Sequence, residues 1–446
     1  MITVDWSKLT LELLVRIVET HLPAVEDVIM FSSVCNSWNR AARACDKSKL
    51  RVNWSRQMPW LMLTDGNDSE FCDEYEHKEL VDELYIDEGD DEFESYYRLN
   101  EVPLQKALYD NKRMLLNLSN NGRNKLYCLS LPETYGKACW GSRCGWIVTL
   151  GLDREMQLFN PLTKSQLPLP SQTTFGYPCT SAQSKTIRAM FFSKVVVLRL
   201  PQDDNDNIPW LVVAIHSVNS HVGIARPGDA SWTHIHNPYY SDPDDPPITD
   251  VIYCNKMKSL VFIDESASLF YYDVHNPKQP KELKVCLKVQ GILFSEQQVD
   301  TQIYLVESGD DLLAIVRCKK SSSWEPNHVH GINCHNNDNF RVFRSGFATT
   351  RSWEELKDGI GNVAVFVGGN ETMCIDASIG GCRSNCIYFS DVHRESYRNR
   401  LYYFDEGEVS SHLGVFNFNT KTTESFYNWK IRESPYCSPF WFTPSI

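Results

Sequence analysis

The side chains best suited to metal binding cluster in the segment NHVHGINCHNND at 327–338. They are His328, His330, Cys334 and His335. Imidazole nitrogens and thiolates are the usual zinc ligands, but this spacing matches no zinc-finger type, and the flanking Asn and Asp residues are typical of a turn. A second pair, Cys382 and Cys386, carries an equally weak signal. We therefore expect an exposed polar loop at 327–338, with no metal site and no cofactor.

Motifs for bond chemistry are missing from any fitting context. No GxSxG turn, phosphate-binding loop or dinucleotide fingerprint stands between a predicted strand and a predicted helix. The segments GIGN (359–362) and GGNE (368–371) are interpreted as glycine-bearing turns. We expect a protein that is not an enzyme. An enzyme with its site at the centre of the β-domain is a third hypothesis, which requires a polar pocket with shifted pKa values.

The composition indicates a soluble protein with more than one domain. The chain has 446 residues, 42% of them apolar, with a mean hydropathy of −0.36. No stretch approaches the roughly 20 uninterrupted apolar residues of a membrane helix, and residues 1–8 lack the pattern of a secretory signal. Fifteen cysteines without a CxxC pair indicate reduced thiols. We therefore expect a cytoplasmic or nuclear location, or both, and no membrane partner.

The negative charge of the protein is concentrated in one segment. The formal net charge is −13, yet residues 65–94 alone carry fifteen Asp and Glu against one Lys, so the remaining residues sum to about +1. The folded part thus lacks the basic surface that nucleic acid would need. We interpret 65–101 as an acidic, disordered insertion, either a merely solvated segment or one that attracts basic partners.

Residues 1–50 show helical periodicity. Leu9, Leu13, Leu14, Ile17 and Val18 recur at three- and four-residue spacing. Pro23 interrupts the pattern, and a second apolar stripe then runs from Val28 to Ala42. Ser7 and Asp27 are the predicted N-caps of the two runs. We therefore predict a small helical domain at 1–50, joined by a connecting segment at 51–64.

From about residue 102 the pattern changes to the alternation of β-strands. Strand–turn–strand units are predicted at 145–161, 258–277 and 302–317, and the last clear strands at 385–391 and 413–426. The segment SWEELKD at 352–358 is the main helix candidate. Echoes such as LFNP, YYDV and VFNF lack a fixed period, which fits a divergent β-propeller or two sandwiches. We favour a propeller-like domain at 102–446, because a closed ring of blades protects its strand edges.

The N-terminal pattern at 5–42 resembles the F-box, a three-helix unit that docks on the Skp-type adaptor of cullin-RING ubiquitin ligases. The shared residues are Leu9, Glu12, Leu13, Leu14, Ile17, Leu22, Asp27, Val34, Cys35 and Trp38. The resemblance implies adaptor-binding residues at Leu9, Thr10, Leu13, Leu14, Ile17, Val34, Cys35 and Trp38. The chain departs from the family at Thr10, where proline is usual, and at Ser32, Asn36 and Asn39, where basic residues are usual.

The remainder of the chain resembles plant F-box proteins that carry the domain of unknown function 295. The similar segments, in the same order, are PWLML (59–63), NPLTKSQLPLP (160–170), ARPGDASWTHI (225–235), YLVESGDDLLAIVR (304–317), VFVGGNE (365–371), SNCIYFSD (384–391) and SPFWFTPS (438–445). This resemblance implies a kelch-related, β-propeller-like domain without an established general ligand.

Together these observations predict the substrate-recognition subunit of a Skp–cullin–F-box ubiquitin ligase. Its helices would bind the adaptor, and its β-domain would hold a protein target, supplying proximity and not chemistry. The alternative is an adaptor-independent scaffold with a degenerate F-box, which is motivated by Thr10 and the missing basic residues.

Overall fold

The structure is a computed structural model. It describes residues 8–22, 25–32, 34–45, 58–63, 112–118, 125–151, 153–175, 191–200, 209–216, 221–239, 245–276, 281–287, 299–320, 338–346, 352–390, 413–424 and 439–445. The acidic segment at 65–101 lies outside these residues, as do His328, His330, Cys334 and His335. The predictions made for them therefore stay predictions.

Three short helices stand near the N-terminus. They are α1 (Leu11–His21), α2 (Val25–Ser32) and α3 (Asn36–Ala44). The N-cap of α1 is Thr10, whose Oγ1 accepts a hydrogen bond from the Leu13 backbone N at 3.5 Å, so the predicted cap at Ser7 is wrong. The predicted cap at Asp27 is also wrong, because α2 has already begun at Val25. No helix of the described residues has the length and apolar character needed to cross a membrane.

The described strands form six sheets, which we number as blades 1 to 6. Blade 1 contains β25 (Phe440–Phe442), β1 (Trp60–Leu63), β2 (Lys112–Asn117) and β3 (Lys125–Ser130). Blade 2 contains β4 (Ala138–Trp140), β5 (Ile147–Leu150), β6 (Met156–Phe159) and β7 (Gln166–Leu169). Blade 3 contains β8 (Phe192–Arg199), β9 (Trp210–His216), β10 (His221–Ala225) and β11 (Thr233–Ile235).

Blades 4 to 6 make up the second half of the ring and follow one another in chain order. Blade 4 contains β12 (Ile248–Cys254), β13 (Ser259–Asp264), β14 (Leu269–Tyr272) and β15 (Lys284–Leu287). Blade 5 contains β16 (Val299–Ser308), β17 (Asp311–Lys320), β18 (Asp338–Gly346) and β19 (Glu354–Glu355). Blade 6 contains β20 (Val363–Val367), β21 (Met373–Asp376), β22 (Cys386–Phe389), β23 (Gly414–Asn417) and β24 (Thr422–Glu424), with the short helix α4 (Ala377–Gly380) after β21.

The ring is closed by pairing the two ends of the described chain. The C-terminal strand β25 lies antiparallel to β1, with Trp60 opposite Phe442 and Met62 opposite Phe440. Blade 1 is therefore built from both ends of the β-domain. This pairing completes blade 1 and ties the last strand of the β-domain to its first strand.

Each pair of neighbouring blades shares an apolar core, because side chains along a strand alternate between its two faces. In β9, Val212 and Ala214 pack toward blade 2, whereas Leu211 and Val213 pack toward blade 4. Corresponding clusters join blades 4 and 5, 5 and 6, 6 and 1, and 1 and 2. The predicted fold class, mostly β with a small N-terminal helical part and a propeller, is thus confirmed.

Blade 6 departs from the regular four-stranded pattern. Its strand β20 pairs antiparallel with β21 on one side and parallel with β22 on the other. The added strand β21 lies at the inner edge, where it contacts β16 of blade 5. The residues just before β21 are thereby brought to the centre of the ring.

The helix predicted at 352–358 is wrong. Glu354 and Glu355 form the short strand β19 against β18, opposite Arg344 and Phe343. The Glu355 carboxylate accepts hydrogen bonds from Arg341 at 2.7 and 3.1 Å, and Glu354 pairs with Arg344 at 2.9 Å. Cross-strand partners, which lie outside the local sequence, override the helical preference of the two glutamates.

Candidate functional site

The first candidate site is the exposed apolar surface of the N-terminal helices. In α1, Leu14 and Val18 are fully buried, whereas the side chain of Leu13 is 50% exposed. Val34, which precedes α3, is 59% exposed. Among the described residues the large exposed apolar side chains are Leu11, Leu13, Val34, Leu126 and Tyr239. Three of these five belong to the helical part, which marks it as a contact surface.

The other predicted adaptor-binding residues lie around this surface. Leu9 and Ile17 are half-buried, and Thr10 is the exposed N-cap of α1. Cys35 is the half-buried N-cap of α3. The half-buried Trp38 stacks on Phe31 with the ring centroids 4.4 Å apart. The structure therefore separates core from surface in this set: Leu14 is core, and Leu13 and Val34 are its exposed apolar members.

The helical part is packed onto the propeller. One continuous apolar cluster contains Leu14, Val18 and Phe31 of the helices together with blade residues, among them Trp60 of β1 and Phe159 of β6. The junction of blades 1 and 2 thus carries the helices, and it accounts for the inner stripe of α1. It does not cover Leu13 or Val34.

The second candidate site is a cavity of about 510 Å³ at the centre of the propeller. All six blades contribute to its wall. In blades 1 to 5 the contributing residues lie at or just beyond the C-terminal ends of the innermost strands, as with Arg143 after β4, Arg199 in β8 and Ser445 after β25. In blade 6 they precede or begin β21. The cavity therefore opens at one mouth of the ring.

A buried ion pair contacts Thr372, which lines this cavity. Lys194 Nζ of blade 3 lies 2.6 Å from Asp250 Oδ1 of blade 4, and both side chains are almost fully buried. Thr372 of blade 6 donates to Asp250 Oδ2 at 2.8 Å and lies 3.2 Å from Lys194 Nζ. The Leu305 backbone N of blade 5 also donates to Asp250 Oδ2, at 2.8 Å. Four blades are thus joined through one carboxylate, and Thr372 links that carboxylate to the cavity wall.

A second carboxyl group stands in the wall. Glu371 is buried, and the Arg143 backbone N donates to its Oε2 at 3.3 Å. The Arg143 Nε lies 3.9 Å from Glu371 Oε1. Burial raises the pKa of Glu371 to about 7, although Arg143 opposes the shift. Near neutral pH this carboxyl group is therefore divided between its acid and its carboxylate form.

The thiol beside Glu371 is unreactive. The Sγ atom of Cys144 lies 3.1 Å from Ser142 Oγ. Burial, together with the charge of Glu371, raises the pKa of Cys144 to about 12. Since the thiolate is the nucleophilic form, Cys144 is a poor nucleophile at neutral pH.

The charge of Glu371 predicts a pH dependence of stability. Its pKa in the folded protein, about 7, exceeds the ordinary value of 4.5, so its contribution to stability is fully present below pH 4.5 and is lost as the pH rises through 7. We expect Glu371→Gln to raise the free energy of unfolding above pH 7 by up to about 3 kcal/mol and to change it little at pH 4.5. Denaturant titrations of both proteins across this range measure the difference; a constant difference would contradict the prediction.

Neither the cavity residues nor the adjoining pair Lys194–Asp250 is singled out from the sequence as a site. The signal was present, because Lys194 and Asp250 interrupt the apolar strand segments SKVVVL and ITDVIY. Charged residues are almost never fully buried unless they are paired. The two charged residues together indicate a buried ion pair, but they do not indicate which residues surround it.

The match to one protein-family model supports the propeller. A family model described as the KIB1-4 beta-propeller matches residues 115–417. No curated protein matches the chain. Among solved structures, Hsv2 of Kluyvelomyces marxianus is 11% identical with a TM-score of 0.25, covering 48% of this chain and 60% of that one. YCF48 from Cyanidioschyzon merolae is also 11% identical, with a TM-score of 0.28 and coverages of 55% and 64%.

A third solved structure, the Myceliophteria_thermophila Cps50 (Swd1) beta-propeller domain, is 10% identical with a TM-score of 0.25 and coverages of 64% and 86%. The chain spans less than two thirds of the Hsv2 and YCF48 chains.

Proposed function

The chain belongs to the KIB1-4 β-propeller family, and from that premise we propose that it is the substrate-recognition subunit of a Skp–cullin–F-box ubiquitin ligase. The propeller is a domain suited to protein binding. The helical part would dock on a Skp-type adaptor, and the propeller would hold a protein target near the charged conjugating enzyme. The contribution to the reaction would be proximity and orientation.

One observation carries this proposal: Leu13 and Val34 are exposed although the inner apolar stripe of their helical unit is buried. The inner stripe of α1 is buried against α3 and the propeller junction, so the outer residues need a different partner. Exposed apolar side chains of this kind mark protein contacts. The resemblance of 5–42 to the F-box names the adaptor as that partner. Thr10 retains a capped start for α1 where the F-box family has proline.

The cavity favours binding over catalysis. It has the polar wall and the shifted pKa that a propeller enzyme would require. The enzyme hypothesis therefore has to be tested against the chemistry of the wall residues. The buried thiol of Cys144 is protonated. The Glu307 carboxylate is engaged by Asn255 Nδ2 at 2.7 Å and by two backbone N–H groups. Within the described wall we find no nucleophile paired with a base, and we propose a non-catalytic subunit.

The adaptor proposal is tested by paired substitutions on the exposed surface. We expect Leu13→Glu/Val34→Glu to reduce co-purification of a Skp-type adaptor at least about tenfold, because two charges would have to be desolvated in an apolar interface. The matched control is Leu126→Glu on β3, since Leu126 is an apolar residue with 37% exposure on the propeller. Adaptor yield is measured by quantitative pull-down with the full chain.

Two results would contradict the proposal in different ways. Undiminished adaptor binding by the double variant, with an unchanged melting temperature, would remove the assigned surface. A wild-type chain that captures neither adaptor nor cullin at near-stoichiometric levels would favour the adaptor-independent scaffold. The location in cytoplasm or nucleus follows from the same proposal and is tested by imaging a tagged chain.

A further inference from the structure

Two guanidinium groups at the mouth of the central cavity have hydrogen-bond donors to spare. Arg143 has a half-exposed side chain, and its guanidinium makes only the 3.9 Å contact with Glu371 among the described residues. Arg199 is exposed and lies over the Trp210 ring, 5.8 Å from its centroid. A guanidinium offers five N–H donors in a planar fork. Both forks therefore remain available on the cavity wall.

The acidic groups of the wall do not cancel these two charges. Glu307 Oε2 accepts from the Asn255 backbone N and Nδ2 at 3.3 and 2.7 Å, and Glu307 Oε1 lies 3.5 Å from the Lys256 backbone N. Its charge thus holds the turn after β12 in place. Glu371 is only partly ionised at neutral pH. The wall is therefore net positive toward a ligand, although the chain as a whole carries −13.

We propose that this cavity binds a carboxylate side chain of an acidic segment in a partner protein. Arg143 and Arg199 would donate to the carboxylate, which is the bidentate pairing that guanidinium geometry favours. Trp210 and the half-buried Tyr253 offer apolar wall for the methylene stem of the ligand. A volume of about 510 Å³ lies within the range of ligand pockets and accommodates side chains of a peptide.

A carboxylate fits this wall better than a phosphate does. The cost of desolvating an ion rises with the square of its charge, whereas its attraction to the two guanidinium groups rises only in proportion to the charge, so a doubly charged group is less favourable at this wall. A carboxylate can also accept a hydrogen bond from the acid form of Glu371. That the acidic segment belongs to the ligase target rests on the proposed function. The binding of a carboxylate to the cavity requires no adaptor.

The proton on Glu371 links binding to pH. The charged and titratable groups that face Glu371 are Arg143, Lys194, Asp250 and the neutral thiol of Cys144. A bound anion disfavours the ionised form of Glu371, so binding takes up a proton. Affinity should therefore rise as the pH falls through about 7. In Glu371→Gln, which keeps a neutral side chain of the same shape, this dependence should vanish.

The experiment uses the full chain and labelled Gly/Ser peptides with blocked termini. One peptide carries a central run of Glu, and the others carry Gln, Lys or phosphoserine at the same positions. Fluorescence anisotropy measures the affinities, and inorganic phosphate serves as a competitor. We expect the Glu peptide to bind at least about tenfold more tightly than the Gln peptide, and Arg143→Ala and Arg199→Ala each to weaken it about tenfold.

The matched control is Lys284→Ala, which removes one positive charge from the exposed side of the outer strand β15. It should bind the Glu peptide as the wild type does. Equal binding of Glu and Gln peptides, or an equal loss in Lys284→Ala, would overturn the proposal. Tighter binding of the phosphoserine peptide, or competition by phosphate at the same concentration as the Glu peptide, would overturn the choice of a peptide carboxylate.

Failure of this inference is distinguishable from failure of the proposed function. Leu13→Glu/Val34→Glu should bind the Glu peptide normally, because the cavity lies in the propeller. Arg143→Ala should capture the adaptor normally. Loss of peptide binding in Arg143→Ala is attributed to the site only if its thermal melting matches that of the wild type.

Discussion

Replacement of Lys194 by methionine is expected to lower the free energy of unfolding by about 3–5 kcal/mol. Lys194 is the cationic partner of Asp250, at 2.6 Å in a buried site. Removing the Lys194 ammonium leaves the Asp250 carboxylate buried. That carboxylate keeps its N–H and O–H hydrogen-bond donors but has no positive partner. Methionine retains the packing of the aliphatic stem, so the loss reports mainly on the charge. Chemical denaturation monitored by tryptophan fluorescence measures the effect.

A double-mutant cycle separates the pair from its surroundings. We expect Lys194→Met/Asp250→Asn to be less destabilised than the sum of the two single variants, because the double variant leaves no unpaired charge. Lys284→Met is the control, since it removes an exposed lysine and should change stability by less than about 0.5 kcal/mol. Additive single effects would show that the ion pair does not couple blades 3 and 4.

Replacement of Trp441 by alanine is expected to cost about 3–5 kcal/mol and to open the ring. Trp441 is fully buried in β25. Its Nε1 donates to the Val367 carbonyl at 2.9 Å, and its own carbonyl accepts from Asn370 Nδ2 at 2.9 Å. Its ring meets Phe366 edge-on with centroids 5.0 Å apart. One side chain thus joins the closing strand of blade 1 to blade 6.

The control for Trp441 is Trp353→Ala. Trp353 is half-buried and donates from Nε1 to the Ala267 carbonyl at 2.8 Å, so it also joins two blades but not the closing pair. We expect a smaller loss there and no gain in protease sensitivity of the blade 1 strands. Comparable melting temperatures and digestion patterns for the two variants would contradict a special role of the closure.

The fold was accessible from local patterns because each blade repeats them. The pair LVFID and LFYYD, for example, predicted β13 and β14, and Gly309-Asp310 predicted the turn between β16 and β17. Strands that are buried on both faces, such as β9 and β13, are recognisable in the sequence as short apolar runs between turn residues. The failures arose where a partner distant in sequence decided the conformation, as at Glu354 and Glu355, which are held by arginines of β18.

The central cavity was missed for the same reason. The segment GGNE was read as an ordinary turn, yet blade 6 places its Glu371 beside Arg143, which lies 228 residues away in the sequence. Neither residue has a feature in its local sequence that predicts this contact. An acidic residue in a turn is usually solvated, whereas Glu371 is buried, and its burial is the main cause of its raised pKa.

The order of amino acids alone determined three features: the period-two alternation, the apolar stripe of α1 and the location of the negative charge. These features depend on residues that are close in the chain. Only the tertiary structure decided the contact of Lys194 and Asp250 with Thr372 and the exposure of Leu13 beside a buried Leu14. Burial is a property of what packs around a residue. Six blades must close before the centre of the propeller exists.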